Sequence, residues 1–246
     1  MGCCTNHFLK GSEEEQLLRE QEAYLGFSSF LCTELDLHVR KLCSQRHLSK
    51  NQFQVMMEKL NTAAKSPQQS TATLCFFRSI LYYQGEYDRT LLLILVFLYG
   101  RGSYQDRARV LLDIKDEQVT FEISSTEARS LAHFMVEISL KGVFSLVFEE
   151  SIEKKAASLM KAYKGSLSKV RGRVEAALSA LLVDRHGRCR LEDLLKKVQT
   201  PSLGRLLTAV GLRELACEMI QSARQDREPA SSPTTVSAPA VLETHS

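Results

Sequence analysis

Apolar positions along the chain recur mostly at helical spacing. Phe27, Phe30, Leu31, Leu35, Val39 and Leu42 predict a helix over 27–42. Ser49 stands as a cap before a helix that runs to Leu60, and Leu74, Phe76, Phe77 and Ile80 mark another over 71–81. Thr90–Tyr99 is apolar almost throughout, as a buried helix would be. It breaks at Gly100-Arg101-Gly102, and Ser103 then caps the next helix. Ala128, Leu131, Ala132, Met135 and Ile138 form the stripe of a helix over 125–140. Further helices are expected over 144–163, 174–183, 191–198 and 203–223. Ser12 and Glu15 have capping-box spacing and open a short helix to Tyr24, whose charged face is expected to be solvated. Turns fall around Gly85 and Gly187, and a polar loop runs over 116–127. The segment from Glu228 onward is rich in Ser, Pro, Thr and Ala and reads as a disordered tail.

Composition agrees with an all-α protein: 44% of residues are hydrophobic, and only 12 Gly and 5 Pro interrupt 246 positions. A net charge of +3 is too small to argue for nucleic acid. Seven scattered cysteines suit reduced thiols in the cytoplasm. The longest apolar run, Leu91–Tyr99, is far short of the roughly 20 residues of a membrane span, and no signal-peptide core precedes it. Anchoring is expected from the start of the chain instead. Gly2 is positioned for myristoylation, with Asn6 where the usual signal has Ser or Thr, and Cys3 and Cys4 are placed for palmitate. Two acyl chains give stable attachment where one does not. Between 154 and 173 stand Lys154, Lys155, Lys161, Lys164, Lys169, Arg171 and Arg173 with no acid, a face for solvent, anionic lipid or an acidic partner. Ser166-Leu167-Ser168-Lys169 fits S-x-x-K but lacks its companion motifs. No HExxH, P-loop, GxSxG or GxGxxG occurs, so no enzyme activity is expected.

The segment LLILVFLYGRGSYQDRARVLLDIKD, Leu92–Asp116, carries an apolar helix, an Arg-Gly-Ser break and a charged helix entering a loop. It resembles the EF-hand calcium sensors: neuronal calcium sensors, potassium-channel-interacting proteins, calcineurin B-like proteins and calaxin-like ciliary proteins. The likeness covers Phe27–Ala223. It implies four paired helix-loop-helix hands, mostly pseudo-EF-hands, with one pair over 27–102 and a second over 103–223. An N-terminal segment (1–26) and a tail (224–246) flank them.

A calcium loop supplies oxygen at positions 1, 3, 5, 7, 9 and 12, with Gly at 6 and a bidentate Glu at 12. In the first hand Cys43–Leu48 is too short for such a loop. In the second, Gly85 at position 6 leaves Ile80 at 1 and Leu91 at 12. In the fourth, Gly187 at 6 leaves Leu182 at 1, with Arg185, Arg188 and Arg190 nearby. The third keeps its oxygens: Asp116, Gln118, Thr120, Glu122 through its carbonyl, Ser124 and Glu127. Its position 6 is Phe121. Ile123 and Cys189 are expected to pair between the third and fourth loops. By this likeness the chain is an adaptor or regulatory subunit. It grips an amphipathic helix of a target in an apolar groove, with little or no calcium, at the cytoplasmic face of a membrane. A true calcium sensor switched at the third loop, or a structural part of a ciliary or cytoskeletal assembly, are the alternatives.

Overall fold

Seven consecutive residues, Leu92–Leu98, are buried in the helix Arg89–Tyr99, so this segment has no solvent face and must be wrapped on all sides. The computed structural model describes residues 12–63, 71–116, 118–147 and 154–225. Its helices are α1 (Glu13–Ala23), α2 (Cys32–Leu42), α3 (Lys50–Ala63), α4 (Thr71–Leu81), α5 (Arg89–Tyr99) and α6 (Tyr104–Asp113). They continue as α7 (Ser125–Leu140), α8 (Lys154–Leu182), α9 (Leu191–Val198), α10 (Pro201–Gly204) and α11 (Ala209–Gln225). Short strands lie between them: β1 (His47–Leu48), β2 (Tyr82–Tyr83), β3 (Glu86–Asp88), β4 (Glu122–Ser124) and β5 (Arg188–Arg190). The protein is therefore mostly helical. Among the described residues no helix is long and apolar enough to cross a membrane. Gly2, Cys3 and Cys4 lie outside the described residues, as does the tail beyond Gln225.

The wrapping of α5 is fixed at both ends. Asp88 caps its start, accepting from Leu91 N at 3.0 Å. At its other end Gly100 comes so close to α2 that a Cβ would lie 3.0 Å from Cys32 Cα, and 2.6 Å from the Val96 carbonyl oxygen. The chain beyond is stitched to the start of α2 by Arg101 N to Phe30 O (2.7 Å) and Cys32 N to Arg101 O (2.6 Å). Arg107 of α6 is buried without a carboxylate and donates to the carbonyls of Phe97 and Gly100. A cation on the last carbonyls of a helix satisfies orphan acceptors and matches the negative end of its dipole.

The helices of the chain pair through their connecting strands. β1, β3 and β2 form one antiparallel sheet, with Leu48 opposite Tyr87; β4 and β5 form a second, with Ile123 opposite Cys189 as the resemblance implies. All four of these residues are buried, and each stands two or three positions after the turn and just ahead of a helix. The 43–48 segment, expected to be too short for a twelve-residue calcium loop, pairs in register with the second turn. Its strand is legible only from its partner, since β1 is two residues long and no glycine marks the turn before it.

Three other expectations are corrected. The helix expected over 27–42 starts only at Cys32, after a 3-10 turn over Phe27–Ser29 that Gly26 enters at φ 77°. Helices expected over 144–163 and 174–183 are instead a 3-10 turn, Gly142–Leu146, and one 29-residue helix, α8. The last helix does not run unbroken from 203: Thr208 turns extended, and its hydroxyl accepts from Gly211 N at 3.0 Å as the cap of α11.

The charged face of α1 is solvated only in part: Glu13, Arg19 and Glu20 are exposed, but three of its acids are buried. Glu15 and Glu22, 3% and 8% exposed, both grip Arg213 of α11, which is 0% exposed. Arg213 Nε and Nη2 donate to Glu15 at 2.8 and 2.9 Å, and Nη1 and Nη2 donate to Glu22 at 2.7 and 2.9 Å. Tyr163 OH donates to Glu15 as well, at 3.1 Å. Burial opposes the charge of Arg213, but Glu22 and Glu15 hold its pKa well above the ordinary arginine value. The sequence shows three acids and a cap; it cannot show their partner about 200 residues away.

Removing one partner leaves a buried charge uncompensated, at a cost of about 3–5 kcal/mol. Arg213→Ala is therefore expected to lose roughly that much stability in urea denaturation. The triple variant Arg213→Met, Glu15→Leu, Glu22→Leu should recover more than half of the loss. A single variant within about 1 kcal/mol of wild type would contradict the assignment.

Candidate functional site

The third loop leaves α6 at Asp113 and reaches β4 through a turn that the chain closes on itself. Asp116 is buried, and its carboxylate accepts from Thr120 N (2.8 Å), Thr120 Oγ1 (2.9 Å) and Phe121 N (2.5 Å). Burial works against the ionised form, but the amides and hydroxyl of 120–122 outweigh it and hold its pKa below the usual value. Ser124 and Glu127 form a capping box at the start of α7. Glu127 Oε2 accepts from Ser124 N (2.9 Å) and Ser124 Oγ (2.8 Å), and Glu127 N donates to Ser124 Oγ at 3.3 Å. The Ser124 hydroxyl and amide lower the pKa of Glu127.

The first pair repeats this device. Gln52 N donates to Ser49 Oγ at 3.3 Å, and Ser49 N to Gln52 Oε1 at 2.8 Å. In both places a serine just ahead of the helix and the residue three positions on cap its start together.

Glu122 points across to the fourth loop. It accepts from Arg188 Nη1 at 2.5 Å and Arg190 Nε at 2.9 Å, which lowers its pKa. The fourth loop closes around Asp184, which accepts from His186 N at 2.8 Å and Arg188 N at 2.9 Å. Thr120 Oγ1 also lies 3.0 Å from the Glu122 carbonyl oxygen, and Gln118 is exposed. The structure thus brings the six expected residues into one loop. Asp116, Thr120, Glu122, Ser124 and, through Oε2, Glu127 all make hydrogen bonds within the protein. Among the described residues no three His, Cys, Asp or Glu side chains gather in a metal-holding group.

Sequence reasoning missed the cations beside this loop. A cleft of about 600 Å³ separates the two sheets, and Arg46, Arg89 and Lys115 line it together with Asp116 and Glu127. Arg89 is anchored there by donating to the carbonyls of Cys43 (3.3 Å) and Ser44 (3.0 Å). Arg46 and Arg89 belong to the first pair, so no signal within residues 116–127 reveals them.

Position 6 of the third loop carries the expected strain. Phe121 has φ 59°, like Gly85 at 94° and Gly187 at 76° in the same place of their loops. Its ring is 55% exposed, so little packing offsets the left-handed backbone. Phe121→Gly is expected to raise stability by about 0.5–1 kcal/mol in denaturant titration, the relief of strain exceeding the entropic cost of glycine. A loss above about 1 kcal/mol would show that the ring, not the backbone, decides this position.

Comparison of the chain with protein-family models, curated proteins and solved structures finds no match in any of the three.

Proposed function

We propose that the chain is a non-enzymatic, EF-hand-like adaptor or regulatory subunit that binds an amphipathic helix of a partner protein and makes little or no use of calcium. The loop register is the observation that carries this reading. Four helix-loop-helix units are joined two by two through short antiparallel strands, with Leu48, Tyr87, Ile123 and Cys189 in matching buried places. The donor set of the third loop does not fit calcium, which takes six to eight oxygens. Glu127 is held as a helix cap, Glu122 faces two arginines, and Phe121 stands where the turn needs glycine. Arg46, Arg89 and Lys115 add positive charge to the same cleft.

In this reading the paired units offer the partner helix an apolar groove, while α11, which lies against α7 and α8 with Leu212, Ala216 and Ile220 buried, stays in place through Arg213. Gly2, Cys3 and Cys4 would hold the adaptor at the cytoplasmic face of a membrane.

Calorimetric titration of the full chain with calcium is expected to give no saturable heat below about 10 µM, for wild type and Glu127→Gln alike. Saturable heat in that range, abolished by Glu127→Gln, would overturn the constitutive reading in favour of a sensor. For the tether, metabolic labelling with a myristate analogue is expected to mark wild type and not Gly2→Ala. Wild type without label would remove the anchor from the proposal.

A further inference from the structure

The long helix α8 buries one side and exposes the other. Tyr163, Leu167, Val170, Val174 and Leu178, three or four residues apart, are buried where the helix lies against α7 and α11. The opposite side shows the small residues Ala162, Gly165, Gly172 and Ala176, flanked by Lys161, Lys169 and Arg173, all of them exposed. Among the described residues no large apolar side chain is exposed on this helix.

Other charges of α8 are used within the fold. Arg171 is tied to Glu137 at 2.5 Å, and Lys164 lies over the Phe144 ring, 5.8 Å from its centroid. The acid of the helix, Glu175, faces His133 at 3.2 Å. Lys161, Lys169 and Arg173 remain, and among the described residues none of them meets a carboxylate. The glycines between them are not required by the chain's own packing. Glycine weakens a helix relative to alanine, yet among the described residues a Cβ at Gly165 or Gly172 would meet nothing within 4 Å. They leave a lane along α8 where another backbone can approach closely.

We propose that this outer face of α8 docks an acidic helix of a partner protein, laid along the lane of small residues with its carboxylates on Lys161, Lys169 and Arg173. Charge complementarity selects the occupant. Lys161 and Lys169 stand eight residues apart and Lys169 and Arg173 four, which is about 12 and 6 Å along the helix axis. A facing helix presents carboxylates at the same intervals when Asp or Glu recurs at every fourth residue. A membrane surface fits less well, because the face exposes no large apolar residue to enter it. The docking needs neither the apolar groove nor calcium nor an acyl group, so it stands or falls separately from the adaptor reading.

The test uses the full chain with Gly2→Ala, so that no acyl anchor contributes. Three probes are titrated at low salt, where exposed charge pairs are least screened. One is an alanine-rich peptide held helical by a hydrocarbon staple, with Glu at every fourth position. The second is the same stapled peptide with its Glu scattered around the helix, and the third is phosphatidylserine vesicles. The ordered peptide is expected to bind about tenfold more tightly than the scattered one. Lys169→Gln with Arg173→Gln should weaken it by about tenfold, the loss of two exposed charge pairs. Gly165→Leu with Gly172→Leu should weaken it as much while the thermal melt stays equal or rises, since leucine is the better helix former and fills only open space. The proposal is overturned if the ordered peptide does not bind, if the scattered peptide or the vesicles bind as well as it does, or if the leucine variant binds as its parent does.

Discussion

A guanidinium with no access to water, Arg213, lies between two carboxylates from the other end of the chain, and the rest of the packing is arranged around that contact. Taking three charges out of water costs several kcal/mol each, and the contact is tolerable only because its hydrogen bonds are satisfied. Glu15 takes both forks of Arg213 plus the Tyr163 hydroxyl and Arg19; Glu22 takes a second pair. Such a site specifies geometry. An apolar contact between α1 and α11 would permit sliding, whereas two bidentate pairs fix the register of both helices at once. The Phe144 ring packs edge-on against Tyr163, 6.0 Å between centroids, and so carries the 3-10 turn after α7 into the same assembly.

What the sequence discloses follows interaction range. The helices are legible because their stripes repeat every three or four residues, and the Ile123–Cys189 pairing because each loop has a turn residue that sets its register. The strain at Phe121 is legible for the same reason, since position 6 can be counted without knowing the fold. The burial of Glu15 and Glu22 is not legible, because a run of acids after a cap looks identical whether solvent or Arg213 faces it. Nor is the capping of α5 by Arg107, an arginine in the middle of a charged helix. The unbroken length of α8 is hidden by Gly165 and Gly172, which read as interruptions although a helix packed on two neighbours absorbs about 1 kcal/mol for each. The break before α11 is hidden for the opposite reason. Thr208 looks like a helix residue until Gly211 is seen against the Arg205 carbonyl, where a Cβ would sit 2.0 Å from the oxygen.

The third loop shows how the side chains of a loop can serve the stability of the fold. In a helix-loop-helix unit the residue before the second helix must cap it, and the residue three places on must satisfy the free amide at the cap. Ser124 and Glu127 perform those tasks, as Ser49 and Gln52 do in the first pair, where no calcium ligand set exists at all. The equivalence matters. Since Gln52 serves its cap as Glu127 does, the cap does not require the carboxylate of Glu127, whose presence by itself is no sign of a metal. The charge balance points the same way: Glu122, the third acid of the loop, is matched by Arg188 and Arg190 rather than left to face a cation. Asp116, Glu122 and Glu127 each have hydrogen-bond partners within the protein, so the conformation of this loop is held by those contacts together with the packing of the helices it joins.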